Sequence, residues 1–387
     1  MSLETMAPTE EGVTAVAAGV PSLMKELEYL FVHAGWAQYA IDWHRAIVSR
    51  QCARGYRVRA FCAVPRPPAR RYDFAELDYL WRTGHPDVKW LHDRFIEEAR
   101  GCDVVINFNG ANIHPEWLRE LDAFTIFMCW DDPESSEVLS RPVARYFDFA
   151  FTGNVACVPM YQSWDVQRCA YLPLAWIEGD CDGAVTVQDI LEGGRDIEVV
   201  FLGERERPDR QKRLDVLQAA FPTGFYRGPG WPQGTLPKAE CARIYRRAKI
   251  GVNIHNSVGP CNLRTFALPA NGVLQVCDNK CRLGELFDLD REVIGFDTME
   301  ECVELVKYYL AHDKERREIA ARGFERVMRE YNEAAVWDRM LRTVAPFVVL
   351  KREGKLETPV WPHTVAGVRS VRNGSRSTTQ CAGRTIR

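Results

Sequence analysis

The sequence predicts an α/β protein of two domains, each a parallel sheet covered on both faces by helices. Three observations carry this expectation. At 387 residues the chain exceeds one ordinary core and falls short of three. Short, continuously apolar runs alternate with segments of helical spacing, the pattern of strands buried on both faces. The alternation comes in two series, separated by an Asp- and Gly-rich stretch at residues 178–195.

The domains are expected at residues 25–177 and 178–345, between a small, polar, acidic N-terminus (1–24) and a basic tail (346–387), both expected to be disordered. In the first domain, strands are predicted at 27–33, 56–64, 103–108, 124–129, 149–152 and 169–173. Helices join them at 39–54, at 73–100 with a break at Gly84-His85-Pro86, and at 115–121. In the second domain, strands are predicted at 197–202, near 225, and at 250–255, 273–277 and 293–296. The helices between them fall at 209–221, 238–248, 263–270 and 283–287. Thr298 and Glu301, in capping-box spacing, open a long helix, and helices at 314–331 and 333–344 close the fold.

A net charge of −3 gives no overall electrostatic reason to bind nucleic acid or anionic membrane. The charge is uneven, because from Lys351 onward eight Lys/Arg stand against two Glu. The Gly, Ser, Thr and Arg content of this tail reads as a solvated end. Thirteen cysteines include no CxxC pair, and several sit inside apolar runs such as Phe127-Met128-Cys129-Trp130. They are expected to be free thiols rather than a disulfide or zinc framework. No apolar run reaches the roughly 18 residues that a membrane span requires. A basic region followed by an apolar core is also missing at the N-terminus, so a cytoplasmic protein is expected. No GxGxxG occurs, which disfavours an NAD enzyme, and oligomeric state is not readable.

Ligands of open α/β sheets bind at the carboxyl ends of strands, and three loops qualify. The first follows the strand at 250–255. Asn253 and His255 alternate onto one strand face, Asn256 begins the loop, Asn262 can cap the next helix, and Arg264 and Thr265 stand in its first turn. A loop of Ser, Gly and Pro with an adjacent Arg suits a diphosphate. The second loop follows Leu202, where Gly203 permits close approach and Arg207 and Arg210 can reach a pyrophosphate. The third is Trp130-Asp131-Asp132-Pro133, whose adjacent carboxylates can take a hydroxyl proton or bind acceptor hydroxyls. His33, Gly35 and Asn109 flank it at the ends of the first and third strands. Two Asp-x-Asp triplets, Asp180 with Asp182 and Asp288 with Asp290, read as solvated loop acids, so no metal site is assigned.

Weak motifs in fixed order add a family resemblance over residues 100–345. Residues 250–278, Gly284-Glu285-Leu286-Phe287, Tyr308-Tyr309-Leu310, Arg316, Ile319-Ala320, Gly323, Arg326-Val327 and Glu330 stand in one domain. Trp130-Asp131-Asp132-Pro133, Phe147-Asp148, Phe151-Thr152 and Tyr171-Leu172-Pro173-Leu174-Ala175 stand in the other. Together they resemble the CgeB-like (spore maturation protein type) glycosyltransferases. The resemblance implies a GT-B fold: two Rossmann-like domains whose parallel sheets face each other across a cleft. It implies a nucleotide diphosphate sugar as co-substrate on the C-terminal domain, a hydroxyl-bearing acceptor on the N-terminal domain, and neither metal nor other cofactor. The last helix, carrying Trp337, would cross back to the first domain.

One departure stands out. Relatives carry Arg-x-Phe-Glu, the Glu expected on the donor ribose, whereas this chain has Arg264-Thr265-Phe266-Ala267. Loss of such a charge-assisted hydrogen bond weakens binding by about 1.5–3 kcal/mol unless another group replaces it. Glu285 is the candidate replacement. Two alternatives to sugar transfer stay open: a ligand-binding or assembly protein that keeps the fold, and a sugar-nucleotide epimerase.

Overall fold

The computed structural model describes residues 20–357, except 36, 66–70, 109, 111, 175–184, 257 and 259–261. The first domain opens with α1 (Val20–Glu26), β1 (Glu28–His33), α2 (Gln38–Ala53) and β2 (Arg57–Cys62). It continues with α3 (Phe74–Arg82), α4 (Pro86–Ala99), β3 (Val104–Phe108), β4 (Phe124–Cys129), β5 (Phe149–Thr152), α5 (Val158–Ser163) and β6 (Cys169–Tyr171). These six strands form one parallel sheet in the order β2-β1-β3-β4-β5-β6.

The second domain runs α6 (Val187–Glu192), β7 (Ile197–Leu202), α7 (Pro208–Ala220), β8 (Phe225–Arg227), α8 (Lys238–Arg247), β9 (Ala248–Asn253) and α9 (Arg264–Ala270). It ends with β10 (Leu274–Cys277), α10 (Lys280–Leu283), β11 (Ile294–Gly295), α11 (Met299–Ala311) and α12 (Asp313–Glu330). Its sheet is also parallel, in the order β11-β10-β9-β7-β8.

Strand β1 shows why continuous apolar runs were the right signal. Leu30 and Val32 enter a core with Leu91, Phe95 and Trp117, while Tyr29 and Phe31 enter the opposite core with Trp337 and Met340. Both faces are covered, so no polar alternation survives.

The opposite core is completed from the far end of the chain. Helix α13 (Glu333–Arg352) returns to the first domain and sets Trp337 edge-on to Tyr29 and Tyr56, with centroids 6.3 and 6.0 Å away. Glu333 accepts from Arg50 Nη2 (2.6 Å) and Gln51 Nε2 (2.7 Å), and Asp338 from Arg54 (2.7 Å) and the Tyr56 hydroxyl (2.9 Å). Asn332 caps the helix by accepting from the Ala335 amide at 2.8 Å.

Among the boundaries that differ from expectation, three have a clear physical cause. Helix α13 continues to Arg352 instead of ending at residue 344, because Lys351 reaches Asp148 (2.6 Å) and the Ala123 carbonyl (2.7 Å) across the first sheet. Helix α1 lies inside the stretch expected to be disordered, anchored by buried Met24, whose carbonyl accepts from the Tyr29 hydroxyl at 2.6 Å. Helix α6 occupies part of the Asp/Gly-rich interruption, where Thr186 and Asp189 form a capping box. Residues 1–19, residues 358–387 and the junction at 175–184 lie outside the described residues. The ten cysteines among the described residues are free thiols. No helix among them is long and apolar enough to cross a membrane.

Helix α2 covers β1 through two histidine rings. His44 stacks on His33 with centroids 4.5 Å apart, both almost wholly buried. Burial is the main force pulling His33 down to about 3 and His44 to about 4, with His44 lowering His33 further; on His44 the Ala40 carbonyl acts in the opposite direction. Burial also lowers His114 and His255.

Two outcomes follow. Trp337→Ala, which opens a cavity under two tyrosines, should lower stability by about 3–5 kcal/mol, read by urea unfolding. The four histidines fold neutral, whereas in the unfolded chain they take up protons as pH falls through about 6.5. Stability is therefore complete above that pH and is lost as pH falls toward 4. Unfolding midpoints measured at pH 7, 6, 5 and 4 should decline stepwise, and His44→Phe should flatten the decline.

Candidate functional site

Each sheet has a point where strand order reverses: between β1 and β3 in the first, between β7 and β9 in the second. At such points the loops leaving neighbouring strands diverge and open a crevice at the carboxyl ends. Here both crevices open into one cleft of about 930 Å³ between the domains. Its first-domain wall includes Ala34 after β1, Phe108 ending β3, Trp130 and Asp131 after β4, and Trp43 and His44 from α2. Its second-domain wall includes Leu202 and Gly203 after β7, Arg227 and Gly228 after β8, and Asn262, Arg264 and Ala267.

Arg264 is the centre of the second wall. Nη1 donates to the Leu202 carbonyl at 2.7 Å, Nε to Asn253 Oδ1 at 3.1 Å and Nη2 to the Ile254 carbonyl at 3.3 Å. The guanidinium thus ties the ends of β7 and β9 together. It lies over the Phe201 ring, 4.7 Å from the centroid. Gly203 makes this possible, since a Cβ there would stand 2.0 Å from Arg264 Nη1. Gly228, at φ +136°, is needed for the same reason one layer out: its Cβ would meet the Gly203 carbonyl oxygen at 2.3 Å.

Behind Arg264 lies a closed polar network. Asn253, fully buried, accepts from Asn262 Nδ2 (2.9 Å), and its own amide faces Asn262, Thr265 and Gln275. His255 pairs through Nδ1 with Asp278 (2.6 Å) and through Nε2 with the Thr265 hydroxyl (3.2 Å). Asn262 caps α9 by accepting from the Thr265 amide at 3.1 Å. Arg210 is buried and donates to the Ile254 and Glu204 carbonyls, and Arg213 donates to Asp278 (2.8 Å) and the His255 carbonyl (2.7 Å). Burial first, then the neighbouring Arg264 charge, brings Arg210 down to about 10, still protonated at neutral pH.

Of the predicted donor-side residues, Gly203, Asn262 and Arg264 reach the cleft. Asn253, His255, Thr265 and Arg210 do not line it and serve as its inner support. Strand β9 ends at Asn253, so His255 leaves the strand face it was expected to share and turns to Asp278. Arg207 and Asn256 are exposed and off the cleft wall. Glu285 is exposed, paired to Arg282 at 2.6 Å and likewise off the wall, so it cannot replace the ribose carboxylate. Ala267 itself does face the cleft, in an apolar patch with Leu202 and Tyr245.

On the acceptor side the two adjacent aspartates part company. Asp131 lines the cleft and pairs with Arg71 at 3.0 Å. Asp132 is wholly buried, accepting from Ser140 Oγ (2.7 Å) and the Tyr161 hydroxyl (2.6 Å), and burial pushes its carboxyl up. Asp132 therefore holds the loop together instead of meeting a ligand. His33 is buried off the cleft, and Gly35 serves packing, since a Cβ there would meet Cys62 Sγ at 2.5 Å and Ile41 Cγ1 at 2.6 Å. Asn109 lies outside the described residues.

Residues the sequence reading missed include Arg227, Arg71, Trp43 and His44. Arg227 ends a strand and could have been found by the strand-end rule. Trp43 and His44 sit mid-helix, where they read as core.

His255, Cys277 and Asp278 bring potential ligand atoms within 4.8 Å of one another. Both Asp278 oxygens already accept from His255, and Arg213 adds a cation to the same carboxylate. This donor set is committed to the fold and does not suit a metal ion. Asp288 pairs with Arg291 at 3.4 Å, and Asp180 and Asp182 lie outside the described residues.

Residues 210–342 match a family model described as glycosyl transferase-like. No curated protein matches the chain. Among solved structures, sucrose-phosphate synthase from Thermosynechococcus elongatus superposes with a TM-score of 0.60 at 12% identity, over 84% of this chain and 100% of that one. HepE of Anabaena, solved with UDP and glucose, gives 0.57 at 10% identity, over 83% and 100%. AviGT4, a glycosyltransferase of avilamycin A biosynthesis, gives 0.51 at 14% identity, over 84% and 98%. At these identities the likeness establishes the fold: two parallel α/β domains facing across a cleft, in the GT-B arrangement.

Proposed function

We propose that this chain transfers a sugar from a nucleotide diphosphate sugar to a hydroxyl acceptor, with the donor on the second domain. The observation that carries the reading is Arg264, a cation held at the strand-order reversal of the second sheet and facing the cleft. The matched family region contains Arg264 and its supporting network, and HepE, of the same fold, is solved with UDP and with UDP-glucose.

As the bond from the sugar's anomeric carbon to the diphosphate oxygen breaks, its electron pair leaves with the diphosphate. Arg264 is placed to stabilise that charge, and Arg227 adds a second cation on the same wall. With guanidiniums in that role the reaction is proposed to need no metal. The acceptor oxygen attacks the anomeric carbon from the first domain, and its hydroxyl proton passes to Asp131, which Arg71 holds in place. The apolar patch at Ala267 leaves the ribose without a carboxylate partner. That one feature favours a second reading, nucleotide-sugar binding without turnover.

Calorimetry with UDP and GDP and a transfer assay test both readings. Arg264→Ala should weaken nucleotide diphosphate binding about tenfold to a hundredfold, with Arg264→Lys between. Asp131→Asn should leave that affinity unchanged and cut transfer about 10²-fold or more. Wild-type affinity in Arg264→Ala would overturn the donor assignment, and binding without turnover would select the second reading.

A further inference from the structure

The two walls of the cleft differ in chemistry, and the first sets a broad aromatic face beside the Arg71–Asp131 ion pair. Trp43, Phe108 and Trp130 form a continuous aromatic surface, with Phe108 4.6 Å from Trp130 and 5.7 Å from Trp43 between centroids. Leu174 extends it toward the second domain. These four residues also line a second, smaller cavity of about 70 Å³ behind the wall, closed by Met340 and Trp337 of α13. That is space for about two water molecules, yet its lining offers almost no polar partner, so it suits an apolar group. Within this surface sits the imidazole of His44, 95% buried, with the Ala40 carbonyl one helical turn back beside its ring and no well-formed hydrogen bond to either ring nitrogen among the described residues.

On the proposed-transferase reading, we infer that the acceptor has a flat apolar body carrying a hydroxyl, such as a phenol or polycyclic alcohol. Its body lies on Trp43, Phe108 and Trp130, and a polar hydrogen of it donates to His44. A sugar could place only its C–H face on these rings, which offer its hydroxyls no hydrogen bond, whereas a flat apolar body covers them fully. One unpartnered acceptor atom inside an aromatic surface fits one donor on an apolar skeleton. Burial keeps His44 neutral at physiological pH, so one ring nitrogen carries the proton, toward the Ala40 carbonyl, and the other is left to accept.

The test uses 2-naphthol as the apolar probe and sucrose as the polyol probe. Binding to the full chain is followed by calorimetry with and without saturating UDP. 2-Naphthol should bind at least tenfold more tightly than sucrose. Trp43→Ala and His44→Phe should each weaken it by about tenfold or more, while UDP affinity stays at the wild-type value. Leu174→Trp, which fills the mouth of the smaller cavity, should abolish naphthol binding and keep UDP binding. Equal or tighter binding of sucrose, or naphthol binding indifferent to all three variants, overturns the inference. Absence of UDP binding with naphthol binding intact would instead count against the transferase reading alone.

Discussion

Arg264 donates to carbonyls at the ends of two strands that part company, and most of the second domain's wall depends on that act. Strands β7 and β9 are neighbours, but the loops that leave them run in opposite directions. The terminal carbonyl of Leu202 takes its side-chain partner from Arg264, and the Ile254 carbonyl is shared between Arg264 and Arg210. A guanidinium answers both at once because its donors are fixed in a plane. The arrangement demands absent side chains at Gly203 and Gly228, so one arginine and two glycines act as a single unit. Arg210 shares the Ile254 carbonyl and Arg213 takes Asp278, which leaves three guanidiniums in close company. Their mutual repulsion would be relieved by the anionic diphosphate of the proposed donor.

Legibility followed burial on both faces. Strands β4, β5 and β7 match their predicted bounds because each is a predominantly apolar, largely buried run followed within two residues by an acidic or glycine turn. Short edge elements such as β6 and β11 came out shorter than their apolar runs, since neighbours, not propensity, set where pairing stops. Helix α1 was invisible because its anchor is remote: Met24 looks like any residue of a polar segment until it enters the core shared with Trp337 and Met340.

In the site, location was more legible than role. Both strand-order reversals fall where the strand-end rule put ligands, and Gly203, Asn262, Arg264 and Asp131 face the cleft. Asp131 and Asp132 are chemically identical neighbours in the sequence. What separates them is Ser140 and Tyr161, 8 and 29 residues further on, which bury one carboxylate and leave the other open. His255 and Thr265 carry ligand-like chemistry, but a hydrogen-bonded partner for each atom had already claimed it. The converse holds for Trp43 and His44, whose helical spacing says core and whose surroundings make them wall. Pair identity across the fold, which no local spacing encodes, decides between the two outcomes.

The coupling between domains explains why these walls can work as one site. Helix α13 begins at the foot of the second domain, crosses, and buries Trp337 and Met340 under the same sheet whose carboxyl end forms the acceptor wall. Those two side chains also close the small cavity behind Phe108 and Trp130. Across the gap, Asn154 Nδ2 donates to the Val258 carbonyl at 2.8 Å, joining the loop after β5 to the loop that leads to Arg264. A cationic wall and an aromatic wall are thus held facing each other by a packed helix, by Tyr171 and Leu174 of the first domain against the core around Phe266 and Phe287, and by the Asn154 hydrogen bond. The helix buries large side chains and opposes separation strongly, whereas one amide-carbonyl bond contributes only about 1 kcal/mol. Packed apolar surface, more than any polar contact, therefore sets how the two walls face each other.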